Sequence, residues 1–278
     1  MISPLRAFSV TVVTALVVVL AGPAAHAASI PEIRVAHRGA TTSTIAEGTM
    51  PAYQYAVRNH ADYLDGDLRW TKDGADADTV GTIVISHDST LDRLTNCLGH
   101  VDAWWWSSIY DKCRTDVGGQ RLIRLVDLLR YGNSVGKSFA LEIKLSSITD
   151  DQATQLWNLV KASRVQLEAG PSALPALNKI KKRDAADPYH RLDYALITSG
   201  SGGWPTVSTI KATGTAVHAE LYAPADVVRT YQRAQIRVFL FTGRNEADYA
   251  KMVAKKPYGV VVDDVARFNR WRAAHPTA

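Results

Sequence analysis

Along most of this chain, short runs rich in Val, Ile, Leu and Tyr alternate with longer stretches whose apolar residues recur every three or four positions. The short runs read as strands and the 3.6-residue period reads as amphipathic helix. Strands are therefore expected at 33–36, 63–68, 82–86, 139–143, 164–168, 194–198, 216–220, 237–241 and 259–262. Helices are expected at 51–59, 125–135, 150–162, 174–183, 225–234 and 246–254. Strands alternating with helices call for a parallel sheet. This many units in the 251 residues from 28 to 278 point to a closed (β/α)8 TIM barrel rather than an open doubly wound sheet.

Two irregularities mark the pattern as a distorted barrel. The stretch Thr71-Lys72-Asp73-Gly74-Ala75-Asp76 is a turn signal with no helix, so one crossover is missing. Nine strands are also one more than the barrel needs. No G-x-G-x-x-G follows the first strand, which removes the sequence support for a dinucleotide fold.

The amino terminus follows different rules. Arg6 precedes an apolar run from Phe8 to Leu20, then Gly22, Pro23 and Ala25-His26-Ala27. A basic start, an apolar middle and a small-residue cleavage pattern predict a signal peptide over 1–27, cut near Ala27, and a secreted, extracellular domain over 28–278. An uncleaved anchor is the alternative, though the run is short for a membrane span. In an exported chain, Cys97 and Cys113, the only cysteines and sixteen positions apart, are expected to form a disulfide. Closing that loop contributes about 3 kcal/mol in the chain-entropy account.

Composition narrows the function classes. With 46% hydrophobic and 21% charged residues the chain is neither disordered nor a disulfide miniprotein. Its 32 basic and 27 acidic residues give +5, and loss of 1–27 removes Arg6 and no acid, leaving +4. These charges are dispersed, so no nucleic-acid partner is expected. A basic surface would still not repel an anionic substrate.

Barrel chemistry sits where strands reach their carboxyl ends. There the first strand meets His37-Arg38-Gly39, and the second carries Asp65 and Asp67, whose two-residue spacing aims both at one face. The third ends in His87-Asp88, and the fourth carries Glu142 and Lys144 on one face. Each alone has an ordinary structural reading. Together, three converging carboxylates would repel unless paired or bound to an ion. One hard divalent cation, Ca2+ or Mg2+, resolves this, and the lack of Cys or a third nearby His disfavours zinc. Arg38 and Lys144 can then face phosphate oxygens, while His37 and His87 share the giving and taking of a proton. That set suits phosphodiester cleavage, and no G-x-S-x-G, P-loop or H-E-x-x-H points elsewhere.

The blocks Ala36-His37-Arg38-Gly39, Glu47-Gly48-Thr49, Asp65-Gly66-Asp67, His87-Asp88-Ser89 and Leu141-Glu142-Ile143-Lys144 resemble the glycerophosphodiester phosphodiesterase family. The late strands ending in Thr242 and Asp263 also resemble its closing blocks, so the likeness runs through nearly the whole domain. It implies a PLC-like phosphodiesterase TIM barrel, with His37 and His87 as the acid/base pair. Asp65, Asp67 and Glu142 would hold Ca2+ or Mg2+, and Arg38 and Lys144 would contact phosphate. The implied substrate is a glycerophosphodiester or glycerol-phosphate polymer, attacked through a cyclic phosphate by a glycerol hydroxyl. It also implies an insertion over 88–120, here closed by Cys97 and Cys113.

Three departures stand out. Ala46-Glu47-Gly48-Thr49 replaces the usual Pro-Glu-Asn-Thr, with Glu47 expected to orient His37 or Arg38. Asp65-Gly66-Asp67 replaces Glu-Leu-Asp, shortening one carboxylate arm. Phe241 stands where Trp is common and would serve as an apolar substrate wall. The run Trp104-Trp105-Trp106 allows transient lipid-surface contact, although packing of the insertion explains it more simply. His218 reads as an ordinary core or rim residue. The leading expectation is a secreted, monomeric, metal-dependent glycerophosphodiesterase. The alternatives are a sphingomyelinase-D-like phospholipase and a non-catalytic barrel that only binds.

Overall fold

The computed structural model of the protein describes residues 33–72, 80–189 and 192–276. The leader expected over 1–27 and positions 73–76 of the expected turn lie outside those residues.

In chain order the strands are β1 (Ile33–Ala36), β2 (Tyr63–Trp70), β3 (Ile83–Ile85), β4 (Ser138–Ile143), β5 (Val165–Ala169), β6 (Asp193–Thr198), β7 (Ala216–Glu220), β8 (Arg237–Gly243) and β9 (Gly259–Val262). Eight of them form a parallel ring in the order β1-β9-β8-β7-β6-β5-β4-β2, and β1 pairs with β2 to close it. The TIM barrel expected from the sequence is therefore present.

The surplus strand is β3. It pairs antiparallel with the far half of β2, setting Leu68 opposite Ile85 and Trp70 opposite Ile83. An antiparallel return needs no crossover helix, in keeping with the turn signal and absent helical pattern of the sequence there. This corrects one expectation. His87 does not arrive on the carboxyl end of a barrel strand but from a loop that folds over the mouth after β3.

Helices cover the outside: α1 (Met50–Arg58), α2 (Trp106–Lys112), α3 (Leu125–Ser134), α4 (Asp150–Val160), α5 (Leu174–Ala186), α6 (Val207–Thr213), α7 (Ala225–Arg233), α8 (Glu246–Val253) and α9 (Val265–Ala274). Of these, α2, α6 and α9 were not expected. Helix α6 is short and holds three Thr or Ser among its seven residues, a composition that favours turns and strands, yet the Thr206 hydroxyl caps its start. Asp264 caps α9 in the same way.

Alternation along each strand sorts the core into two layers. Outward residues such as Leu64, Leu141, Leu167, Val217 and Leu240 pack under the helices and are fully buried. Inward residues form a smaller cluster of Val35, Ala140, Ala195, Ala216, Phe239 and Val261 that fills the barrel's middle. Three alanines make room for the Phe239 ring. Above this plug the inward positions turn polar.

The segment between β3 and α3 builds a satellite core from Val84, Leu91, Val101, Ile109 and Leu122 around the Cys97–Cys113 disulfide. Trp104 and Trp106 pack against it, and only Trp105, 46% exposed, faces solvent, where the Lys72 ammonium covers its ring. The three indoles therefore do not share one outer face, because consecutive residues cannot.

Candidate active site

Strand β1 runs into a tight backbone corner. Arg38 takes a left-handed φ of 53° and Gly39 follows at 88°. A Cβ on Gly39 would come within 3.0 Å of the Ala52 Cβ, so only glycine fits against α1 there. The strained Arg38 is held from both ends: its N–H donates to Asp65 Oδ2 at 2.7 Å, and its carbonyl accepts from Gly48 N at 3.0 Å. Gly48 is itself left-handed, at φ 68°. Glycine and asparagine both tolerate that region, which accounts for Gly48 at a position where the resemblance leads one to expect Asn.

From this corner His37 enters a cavity of about 230 Å3 together with Arg38, Asp65, Asp67, His87, Glu142 and Lys144. All seven residues assigned to catalysis, phosphate or metal from the sequence thus meet in one place. Phe241 forms an apolar part of the same wall. Glu47 lies just behind, and its carboxylate accepts two hydrogen bonds from Arg38 Nη1, at 3.1 and 3.2 Å. It orients Arg38 rather than His37.

The two imidazoles are anchored alike. His37 Nδ1 lies 2.6 Å from Asp263 Oδ1, and His87 Nδ1 lies 2.7 Å from Asp88 Oδ1. An ionised carboxylate can only accept, so in both rings the proton sits on Nδ1 and Nε2 is left for the cavity. Their surroundings then push them apart. Burial would lower the His37 pKa, but the Asp263 hydrogen bond and the Asp65 charge outweigh it, and the net shift is upward. For His87, burial lowers the pKa and the Lys144 charge adds to it, overcoming Asp67, so the net shift is downward.

The carboxylates sort by their company. Burial raises Asp65, Asp67 adds repulsion, and the group is pushed up to about 6. Burial likewise takes Glu142 up to about 7 despite Lys144. Asp67 ends below its ordinary value, because Lys144 and Arg38 overcome its burial. Lys144 Nζ sits 3.0 Å from Asp67 Oδ1 and 2.5 Å from Glu142 Oε2.

A cation site was tested against this arrangement. Among the described residues, no three His, Cys, Asp or Glu side chains already surround one ion position. Lys144 provides the counter-charge for Asp67 and Glu142 instead. The donor chemistry nevertheless fits a hard cation: the donors are all carboxylate oxygens facing one cavity, and two of them, Asp65 and Glu142, have raised pKa values that added positive charge would lower.

Several contributors were not singled out from the sequence. Asp263 lies 226 positions from His37, and Asp88 had been noted only as a neighbour of His87. Arg93 bridges Asp88 and Glu47, tying the His87 loop to the Arg38 support. Glu168, on β5 and 2% exposed, also lines the cavity, and so does His218 on β7, 4% exposed, for which the sequence favoured a core or rim position over the mouth. The strand-end rule applied to the first four strands would have found Glu168 and Asp263 had it been carried around the ring.

A model of the glycerophosphoryl diester phosphodiesterase family matches residues 37–267. A glycerophosphodiester phosphodiesterase from Caldanaerobacter subterraneus subsp. tengcongensis is 22% identical over 236 residues, 83% of this chain and 93% of that protein. One from Bacillus subtilis is 39% identical over 69 residues, a match that spans 25% of this chain and only 21% of that relative. Among solved structures, a phosphodiesterase from Oleispira antarctica in complex with the product sn-glycerol-3-phosphate superimposes with a TM-score of 0.73 at 15% identity, covering 87% of this chain and 96% of that one.

Proposed function

The chain belongs to the glycerophosphoryl diester phosphodiesterase family, and on that premise we propose that it hydrolyses glycerophosphodiesters to glycerol 3-phosphate and an alcohol. The observation that carries this reading is the pair of imidazoles in one cavity with Arg38 and Lys144, each fixed through Nδ1 and shifted in opposite directions from the ordinary histidine value. Two titratable groups driven apart by their surroundings mark an acid and a base. The Oleispira antarctica structure, which holds glycerol 3-phosphate on the same fold, is consistent with this substrate class.

The roles follow from the directions of these shifts. His87, with its pKa lowered, takes the proton from the attacking hydroxyl through Nε2. His37, with its pKa raised, gives one to the departing alkoxide. In the first step a glycerol hydroxyl forms a new bond to phosphorus as the bond to the alcohol breaks, giving a cyclic phosphate. Water then opens the ring with the two imidazoles in exchanged roles. Arg38 and Lys144 face the phosphate oxygens, where negative charge grows.

We place Ca2+ or Mg2+ at Asp65, Asp67 and Glu142. When bound, such an ion adds positive charge against the phosphate oxygens and relieves the repulsion among the three carboxylates. Export through cleavage near Ala27 completes the proposal and rests on the leader pattern alone.

The test is turnover of glycerophosphocholine after chelation, with each cation added back. Choline and glycerol 3-phosphate should appear, and His37→Ala or His87→Ala should abolish their release. Undiminished turnover in either variant would remove the acid/base assignment.

A further inference from the structure

Four carboxylates line the cavity, and only three have a role above. Glu168 is the fourth. It lies on β5 in register with Glu142 on β4, which is in register with Asp67 on β2. The three thus occupy one row across adjacent parallel strands, about 5 Å apart at the backbone. Lys144 serves the first two members of the row and not the third.

The partners of Glu168 are set by a chain of hydrogen bonds running up the barrel. Arg237 and Gln166 Nε2 both donate to the Asp193 carboxylate, the latter at 2.9 Å. That contact fixes the Gln166 amide, since a carboxylate can only accept. Gln166 Oε1 must therefore be the acceptor at its other end, 2.8 Å from His218 Nε2, and the imidazole proton sits on Nε2. The His218 ring is stacked on Phe239, centroids 4.5 Å apart, which fixes its plane. Glu168 Oε1 is also 3.0 Å from His218 Nε2, but the single N–H there is directed at Gln166. The result is a buried carboxylate oxygen, lining the cavity, with no hydrogen bond among the described residues.

An acceptor left dry in a cavity is costly unless a ligand brings the donor. A metal ion suits this position poorly, because it would lie beside the His218 N–H. The phosphate-facing cations Arg38 and Lys144 are on β1 and β4, so the β5–β7 side is left for the organic part of the substrate. On the reading above, that part is a polyol.

We propose that Glu168, positioned by His218, accepts a hydrogen bond from the glycerol hydroxyl that does not attack phosphorus and so selects glycerol-bearing phosphodiesters over those lacking that hydroxyl. The selection is electrostatic and geometric. A hydroxyl donates to the carboxylate, whereas an alkyl or aryl group leaves it unsatisfied, and that asymmetry discriminates more strongly than added apolar contact.

The experiment compares glycerophosphocholine with 2-hydroxypropyl phosphocholine, which keeps the attacking hydroxyl and lacks only the terminal one, in the wild-type protein, Glu168→Gln and Glu168→Asp. The proposal expects KM for glycerophosphocholine to rise roughly tenfold or more in Glu168→Gln, the loss of one charge-assisted hydrogen bond. The kcat/KM for the deoxy analogue should stay within about threefold, and Glu168→Asp, which keeps the charge but draws it back, should fall between. Calorimetry adds a binding readout: the preference for glycerol 3-phosphate over inorganic phosphate should shrink in Glu168→Gln. Equal losses on both diesters, or no loss on either, would overturn the assignment. So would loss of the cation-induced thermal shift in Glu168→Gln, which would make this carboxylate a cation ligand. Wild-type protein that cleaves neither diester defeats the parent reading as well, whereas non-selective loss in the variants defeats this one alone.

Discussion

The two histidines sit in one cavity and are anchored by the same device, yet they belong to different parts of the molecule. His37 is carried by the end of β1 and braced by Asp263 from the far end of the chain, so the barrel's closure holds it. His87 is carried by the loop after β3, with its carbonyl gripped by Arg69 and its Asp88 partner tied through Arg93 to Glu47. The first ring neighbours Asp65 and rises in pKa, while the second faces Lys144 and falls. Identical side chains thus acquire opposite pKa shifts from surroundings alone, the condition under which one imidazole can serve as an acid and another as a base.

The bluntest way to break the comparison is to delete either ring. His37→Ala and His87→Ala should each lower kcat for glycerophosphocholine by about 10²- to 10⁴-fold, measured in steady state. Next in size is the tether of the His87 region. Cys97→Ser with Cys113→Ser should lower unfolding free energy by about 3 kcal/mol in denaturant titration. In the same variant the His87 imidazole resonances should move by NMR while those of His37 stay, and equal movement of both would show that the regions are not separate.

The pH profile sharpens the contrast further. A neutral base is lost as pH falls through the lowered His87 pKa, and a protonated acid is lost as pH rises through the raised His37 pKa, so kcat/KM should be bell-shaped. Asp263→Asn removes a group that raises His37 and should draw the alkaline limb to lower pH. Asp88→Asn removes one that raises His87 and should move the acid limb to lower pH instead. If both variants shifted the same limb, the assignment of roles would fail.

The smallest effect concerns the carboxylates. Asp65 and Glu142 have folded pKa values raised to about 6 and about 7, so the folded state binds more protons than the unfolded one in that range. Their contribution is fully present below the unfolded values near 4 and is lost as pH rises through 6 to 7. Without cation, melting temperature should therefore decline across that window. Added Ca2+ or Mg2+ should raise it more at pH 8 than at pH 5.

Much of this was legible in the chain. Two-residue spacing in Asp65-Gly66-Asp67 and in Glu142-Ile143-Lys144 aims pairs of side chains into one space whatever the rest of the fold does. The missing crossover before position 82 already required an irregular element, and β3 is that element. What pattern could not supply was the partner of each group. Nothing local links Asp263 to His37, or shows that Lys144 would lie between Asp67 and Glu142. Glu168 read as one more strand residue because its importance lies in lacking a donor, and an absence of that kind exists only once every neighbour is in place.

The amino-acid sequence by itself determined the barrel, the ring of polar strand ends and the side chains that reach the mouth, because strand alternation and helix periodicity are short-range and survive any tertiary detail. The tertiary structure alone decided which nitrogen of each imidazole faces the cavity, which carboxylates carry a counter-charge and in which direction each His pKa moves. Those properties depend on distances of a few ångströms between residues up to 226 positions apart, and on how much water burial removes from each.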